Sequence, residues 1–302
     1  MTTSSAFLAI VGCPNVGKSS LLNAILGRKV AIVSDKPQTT RNRITGVYTQ
    51  DDLQLVFLDT PGAHRPRTRL GDYMVRTIGE AVSGVDAVVL VCEPSKSDKL
   101  REQEQELLAQ CARHKMPVVL VLNKVDLLAD KMALLPCIER WREVYDFTAI
   151  MPLSALTGEG VPELLNVLRG FAFESPHFFP ADMISDQPER VIAGELVREK
   201  MLQLLRQEVP HGVAVVIERW EERETMSGEP LVDIDAYIYC ERDSHKGMII
   251  GKKGAMLRQI GTLARGELES VLGVKVNLQC WVKVKEDWRN RQGLIRGFGY
   301  RE

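Results

Sequence analysis

The sequence predicts an α/β domain built on a mostly parallel sheet, followed by a smaller α+β domain. Three observations carry that prediction. Five short apolar runs, at 7–11, 53–58, 87–91, 118–122 and 149–153, alternate with longer helix-like stretches such as 100–115. This is the βαβ pattern of a parallel sheet covered by helices on both faces. The stretch 174–188 contains Pro176, Pro180 and Pro188 and breaks the periodicity. Beyond it the order changes to α-β-β-α-α-β, with a helix at 189–208, strands at 213–220 and 231–239, a helix at 255–272 and an alternating strand at 274–284. The expected boundaries are a first domain at 1–175, a linker at 176–188 and a second domain at 189–302.

Composition bounds the class. At 302 residues and 45% hydrophobic, the chain is long enough for two ordinary cores. No apolar run reaches the ~18 residues a membrane-spanning helix needs, and the N-terminus lacks the pattern of a signal peptide, so no export is expected. The six cysteines lie far apart without a CxxC pair, which argues against a zinc site or a disulfide framework and for a reducing cytosol. The net charge of −1 is unevenly spread. Residues 171–244 carry seven Lys and Arg against sixteen Asp and Glu, whereas residues 245–302 carry twelve against five. The C-terminal segment is where a polyanion would bind.

Gly12-Cys13-Pro14-Asn15-Val16-Gly17-Lys18-Ser19 fits GxxxxGKS, directly after the first apolar run and before a helix-like stretch. Such a loop turns backbone N–H groups inward on a polyphosphate, the following helix N-terminus adds positive potential, Lys18 reaches the outer phosphates and the Ser19 hydroxyl suits Mg²⁺. Gly12, Asn15, Val16, Gly17, Lys18, Ser19 and Ser20 are therefore the expected nucleotide contacts. Asp59-Thr60-Pro61-Gly62 follows the second run; Asp59 is placed to hold Mg²⁺, usually through water, and the Gly62 N–H to meet a γ-phosphate. Base choice falls to Asn123-Lys124-Val125-Asp126. A buried Asp126 carboxylate accepts the paired N1–H and N2 amino hydrogens of guanine, Asn123 lies near the N7/O6 edge, and the Lys124 stem covers the ring. Adenine lacks that donor pair, so an ATPase reading fails on Asp126. In Ser154-Ala155-Leu156, the Ala155 N–H is expected at guanine O6.

In that order, GCPNVGKS, DTPG, NKVD and SAL resemble the G domain of translation-factor-related GTPases. The resemblance implies GTP, Mg²⁺ and hydrolysis to GDP, with Lys18, Thr40 and Gly62 as catalytic groups and Ser19, Thr40 and Asp59 at the metal. The family's switch threonine is assigned to Thr40 by position, with Thr39 the alternative. One departure stands out. The residue after DxxG is Ala63, which has no polar atom to orient water, so intrinsic turnover is expected to be slow. Related GTPases with an Asn at the position of Asn15 use K⁺, which makes K⁺ a candidate cofactor.

In the second domain, Ile250 precedes a GxxG loop, Gly251-Lys252-Lys253-Gly254, set between two helix-like pieces. This resembles a type II KH domain, whose GxxG backbone approaches single-stranded nucleic acid closely. The resemblance implies RNA contacts at Gly251, Lys252, Lys253 and Gly254, with Ile249 and Ile250 lining the groove. Arg258 and Arg265 are either phosphate partners or solvated charges. Trp281, in an alternating strand, reads as core, and Trp288 as the better RNA contact. His245 reads as a cap or surface residue, and 96–106 as an exposed helix face. Together the two domains resemble Era-like GTPases over essentially the whole chain. That implies a monomeric, cytoplasmic GTP switch that binds the 3′ end of small-subunit ribosomal RNA, assists assembly of the small subunit and associates peripherally with the inner membrane. The alternative is a GTP-regulated module whose KH-like domain docks a protein rather than RNA.

Overall fold

Each of the five apolar runs forms a strand, and in all but the run at 53–58 the residues alternate between two cores. The computed structural model describes residues 2–63, 66, 68–94, 100–205 and 209–300. Its first unit contains β1 (Ser4–Gly12), α1 (Lys18–Leu26), β2 (Ile44–Gln50), β3 (Leu53–Asp59), α2 (Arg69–Ser83), β4 (Ala87–Cys92), α3 (Glu102–His114), β5 (Val118–Leu122), α4 (Leu134–Val144), β6 (Ala149–Pro152), α5 (Val161–Arg169) and β7 (Phe173–Glu174). The strand order is β2-β3-β1-β4-β5-β6, parallel except for β2, and β7 pairs antiparallel with the start of β1. β4 and β5 are buried at every residue, as expected for parallel strands covered on both faces. Val89, Val91, Val119 and Val121 share one core with Leu21 and Ile25 of α1 and Leu164 and Leu168 of α5. Their strand neighbours Val88, Leu90, Leu120 and Leu122 share the other with Ile78 of α2, Leu107 of α3 and Trp141 of α4.

Two strands of this sheet were not expected. β2, Ile-Thr-Gly-Val-Tyr-Thr-Gln, mixes polar residues and a glycine with its apolar ones, and β7 is two residues long, so neither stands out as an apolar run. The segment expected as a linker lies along the first unit as far as Asp186. Gln54 accepts from the Phe178 and Phe179 amides at 2.8 and 3.0 Å, Phe178 packs edge-on against Phe7, and the Val47 amide of β2 donates to Ile184 O at 2.8 Å.

The second unit runs from Gln187 and also gathers Ser34–Thr39 and the first two residues of α2, Arg69 and Leu70. It contains α6 (Glu189–Leu204), β8 (Ala214–Glu224), β9 (Pro230–Cys240), α7 (Asp243–Ile250), α8 (Ala255–Leu272), β10 (Lys275–Val284) and α9 (Gln292–Gly297). Residues 206–208 of the predicted helix and 96–99 of the predicted exposed face lie outside the described residues. β9 is central, antiparallel to β8 and parallel to β10, and α6 and α8 pack together beside this sheet.

The burial of the two tryptophans is the reverse of that read from sequence. Trp288 is fully buried: its indole N–H donates to Gly212 O at 2.9 Å, and its ring packs against Phe298 and Tyr300. Trp281 is 49% exposed. The reason is strand parity. Along β10, Lys275, Asn277, Gln279, Trp281 and Lys283 are exposed while Val276, Leu278, Cys280, Val282 and Val284 are covered to varying degrees, so Trp281 belongs to the polar set.

Candidate nucleotide site and nucleic-acid groove

The signature loops of the first unit leave the carboxyl ends of β1, β3, β5 and β6, where parallel sheets bind phosphates and cofactors. Gly17 has φ 95°, and a Cβ there would lie 2.2 Å from Asn123 Nδ2, so only glycine lets the loop pass that amide. Lys18 is 6% exposed, and its ammonium donates to the carbonyls of Gly12 and Cys13 at 3.2 and 3.0 Å, curling the chain round one cation. Burial lowers its pKa, opposed chiefly by Asp59. The Gly12 carbonyl also accepts from the Ala63 amide at 3.0 Å, which brings the DxxG segment against this loop.

The three expected metal-site residues converge. Ser19 Oγ donates to Asp59 Oδ2 at 2.7 Å and lies 2.7 Å from Thr40 Oγ1. Thr39 instead bonds the Lys36 carbonyl and Ser34 hydroxyl at 2.6 and 2.8 Å, within its own loop. Asp59 is fully buried, and burial lifts its carboxyl to about 6, against the pull of Lys18 and the Ser19 hydroxyl. Among the described residues its Oδ1 has no hydrogen-bond partner. A buried carboxylate oxygen left over beside two hydroxyls is a donor set suited to a hard, oxygen-preferring cation.

The loops expected to select the base depart from expectation in three respects. Asn123 is 1% exposed and uses both ends of its amide on the protein, donating to Val16 O and accepting from the Ala155 amide, each at 2.9 Å. It therefore ties three loops together, and the Ala155 N–H expected at guanine O6 is directed to Asn123. Asp126 is exposed rather than buried, because it follows the end of β5 by four residues; the buried Ser154 hydroxyl steadies it with a 2.6 Å bond to Oδ1. Lys124 donates to Asn15 O at 2.6 Å and pairs with Glu93, a residue with no sequence signal beyond its place after β4. Asn15 and Leu156 are exposed, Ser19 and Ser20 partly so, and Val16 is buried, its side chain in the first core and its carbonyl bonded by Asn123.

In the second unit, Gly251 and Gly254 flank exposed Lys252 and Lys253 between α7 and α8. Gly251 has φ 71°, and a Cβ there would lie 2.7 Å from that of Met256, so the loop has no room for a side chain. A groove of about 340 Å³ runs from Gly254 along Leu257, Arg258, Gly261, Thr262 and Arg265 of α8 to Leu278 and Cys280 of β10. Both arginines left open by the sequence line it. Ile250 is partly covered, but Ile249 is fully buried. The latter corrects its expected place in the groove: it falls on the buried side of α7.

Residues 7–124 match the family model described as 50S ribosome-binding GTPase, and residues 208–289 match the KH domain. GTPase Era of Clostridioides difficile (strain 630) is 48% identical over 298 residues, covering 99% of each chain. Two solved structures of Era superimpose with a TM-score of 0.93 at 38% identity, covering 99% of this chain and all of theirs. One is a variant of the Aquifex aeolicus protein bound to GDP·AlF4⁻; the other is a complex with MgGDPNP and nucleotides 1506–1542 of 16S ribosomal RNA. With both units matched at full length, the chain belongs to the Era family of GTPases.

Proposed function

We propose that this protein is a GTP-binding and GTP-hydrolysing switch that binds the 3′ region of 16S ribosomal RNA through its second unit and assists maturation of the small ribosomal subunit. The observation that carries the nucleotide half is the Ser19 hydroxyl set between Thr40 and Asp59 beside Lys18. The loop amides and Lys18 bind the triphosphate, and the Gly62 N–H meets the γ-phosphate. Ser19, Thr40 and Asp59 would hold Mg²⁺, which neutralises phosphate charge when bound. Asp126 accepts the guanine N1–H and N2 hydrogens, while Asn123 positions the loops around the base. Ala63 supplies no group to orient water, so turnover is slow. We also assign K⁺ to the loop at Asn15: hydrolysis should be faster in K⁺ than in Na⁺, with the difference removed by Asn15→Ala. Equal rates in the two salts would dismiss this assignment.

The RNA half is supported by the groove, with two arginines on one wall and two lysines at its GxxG end, and by the RNA held in the full-length solved relative. The description of the matched GTPase model names the large subunit, but it covers only 7–124; the relative that spans both units holds small-subunit RNA, and the proposal follows it. That RNA also disfavours a protein-docking role for the second unit. Lys252→Asp with Lys253→Asp should reduce oligoribonucleotide affinity more than about tenfold at low salt and flatten its salt dependence, with GTP affinity unchanged. Unchanged RNA affinity would refute the assignment of this loop. No helix among the described residues is long and apolar enough to cross a membrane. We place the monomer in the cytoplasm and peripherally at the inner membrane on the family resemblance, to be checked by cell fractionation.

A further inference from the structure

The sheet of the second unit carries an aromatic surface on the side away from the groove. β10 is its edge strand: Leu278 and Cys280 line the groove, and Trp281, the next residue, faces the opposite side. Trp281 is stacked on its register partner Tyr237 at 6.5 Å and 25°, and Lys283 Nζ lies 3.9 Å from the Tyr237 ring centroid. The C-terminal segment covers the next outward position of β9 by stacking Phe298 on Tyr239, yet Trp281 keeps 49% of its surface exposed. A half-exposed indole on the face of a sheet, braced from beside by a tyrosine and flanked by a lysine, has the shape and chemistry on which a nucleobase stacks.

We propose that Trp281, with Tyr237 and Lys283, is a second RNA platform, which stacks a base of single-stranded RNA after the strand has left the groove and passed over β10. Two observations select RNA as the occupant. The platform lies on the other face of the same edge strand that walls the groove, so an RNA strand that rounds this edge reaches it. It also lies in the basic part of the chain, with Lys275, Lys283 and Lys285 exposed on or just after the same strand. Two carboxylates lie further along this face: Asp235, opposite Arg219 of β8, and Asp233, engaged by Arg223 and Asn277. The proposal rests on the reading of the groove as an RNA site.

A length series separates the two ideas. A KH groove clamps about four nucleotides. Affinity is measured for the best-binding four-nucleotide window of the 1506–1542 segment, and for that window extended to roughly ten nucleotides on either side in turn. In the unaltered protein one extension should tighten binding. Trp281→Ala should remove at least about fivefold of affinity for that extended RNA and leave the short one unchanged, with Trp281→Phe retaining most of the gain. The short RNA serves as the folding control. Equal affinities of Trp281→Ala and unaltered protein for the extended RNA overturn the platform, as does an equal loss at both lengths. Failure of the unaltered protein to bind either RNA overturns the groove reading and the platform with it.

Discussion

Asn123 shows how much of a site lies outside its motif letters. The order of the four motifs tells which loops meet, because each follows a buried strand whose carboxyl end faces the same side of the sheet. It does not tell that the Asn123 amide joins Val16 to Ala155, since that bond depends on where two other loops pass. The burial of Asp59 was likewise unreadable: a strand-end carboxylate can be wet or dry, and only packing decides. Asn123→Ala leaves a buried carbonyl and a buried amide unsatisfied, at about 1–3 kcal/mol each. The expected result is a lower thermal midpoint together with weaker binding of every guanine nucleotide. A variant of unchanged midpoint that lost only GTP affinity would show that Asn123 acts on the base and not on the loops.

At the scale of elements, period-two alternation was visible in β10, but one residue type misled. Tryptophan is usually core, a preference that in the sequence outweighs the polarity of Gln279 and Lys283, the neighbours of Trp281 on the same parity. Trp288, in a charged stretch after the strand, looked exposed. It is buried because Phe298 and Tyr300 fold back on it, a contact made by residues ten and twelve positions later that no local pattern signals. Trp288→Ala should therefore cost about 3–5 kcal/mol of stability, read by denaturant unfolding. A change below about 1 kcal/mol would contradict its place in the core.

Across the whole molecule, the order of α and β elements and the proline-rich break announced two units, because long apolar strands and prolines are strong signals. The strands without a sequence signal are β2 and β7, polar or short, and held by neighbours distant in sequence. β2 ends the large sheet and would present a row of unpaired peptide groups. The segment after β7 prevents that: Ile184 accepts from Val47, and Ser185 donates its hydroxyl to Thr45 O at 2.7 Å. These residues thus serve as a guard strip as well as a tether. A G domain cut at Ser175 would lose it and offer β2 as a template for self-association, whereas one cut after Asp186 would carry its own protection against aggregation.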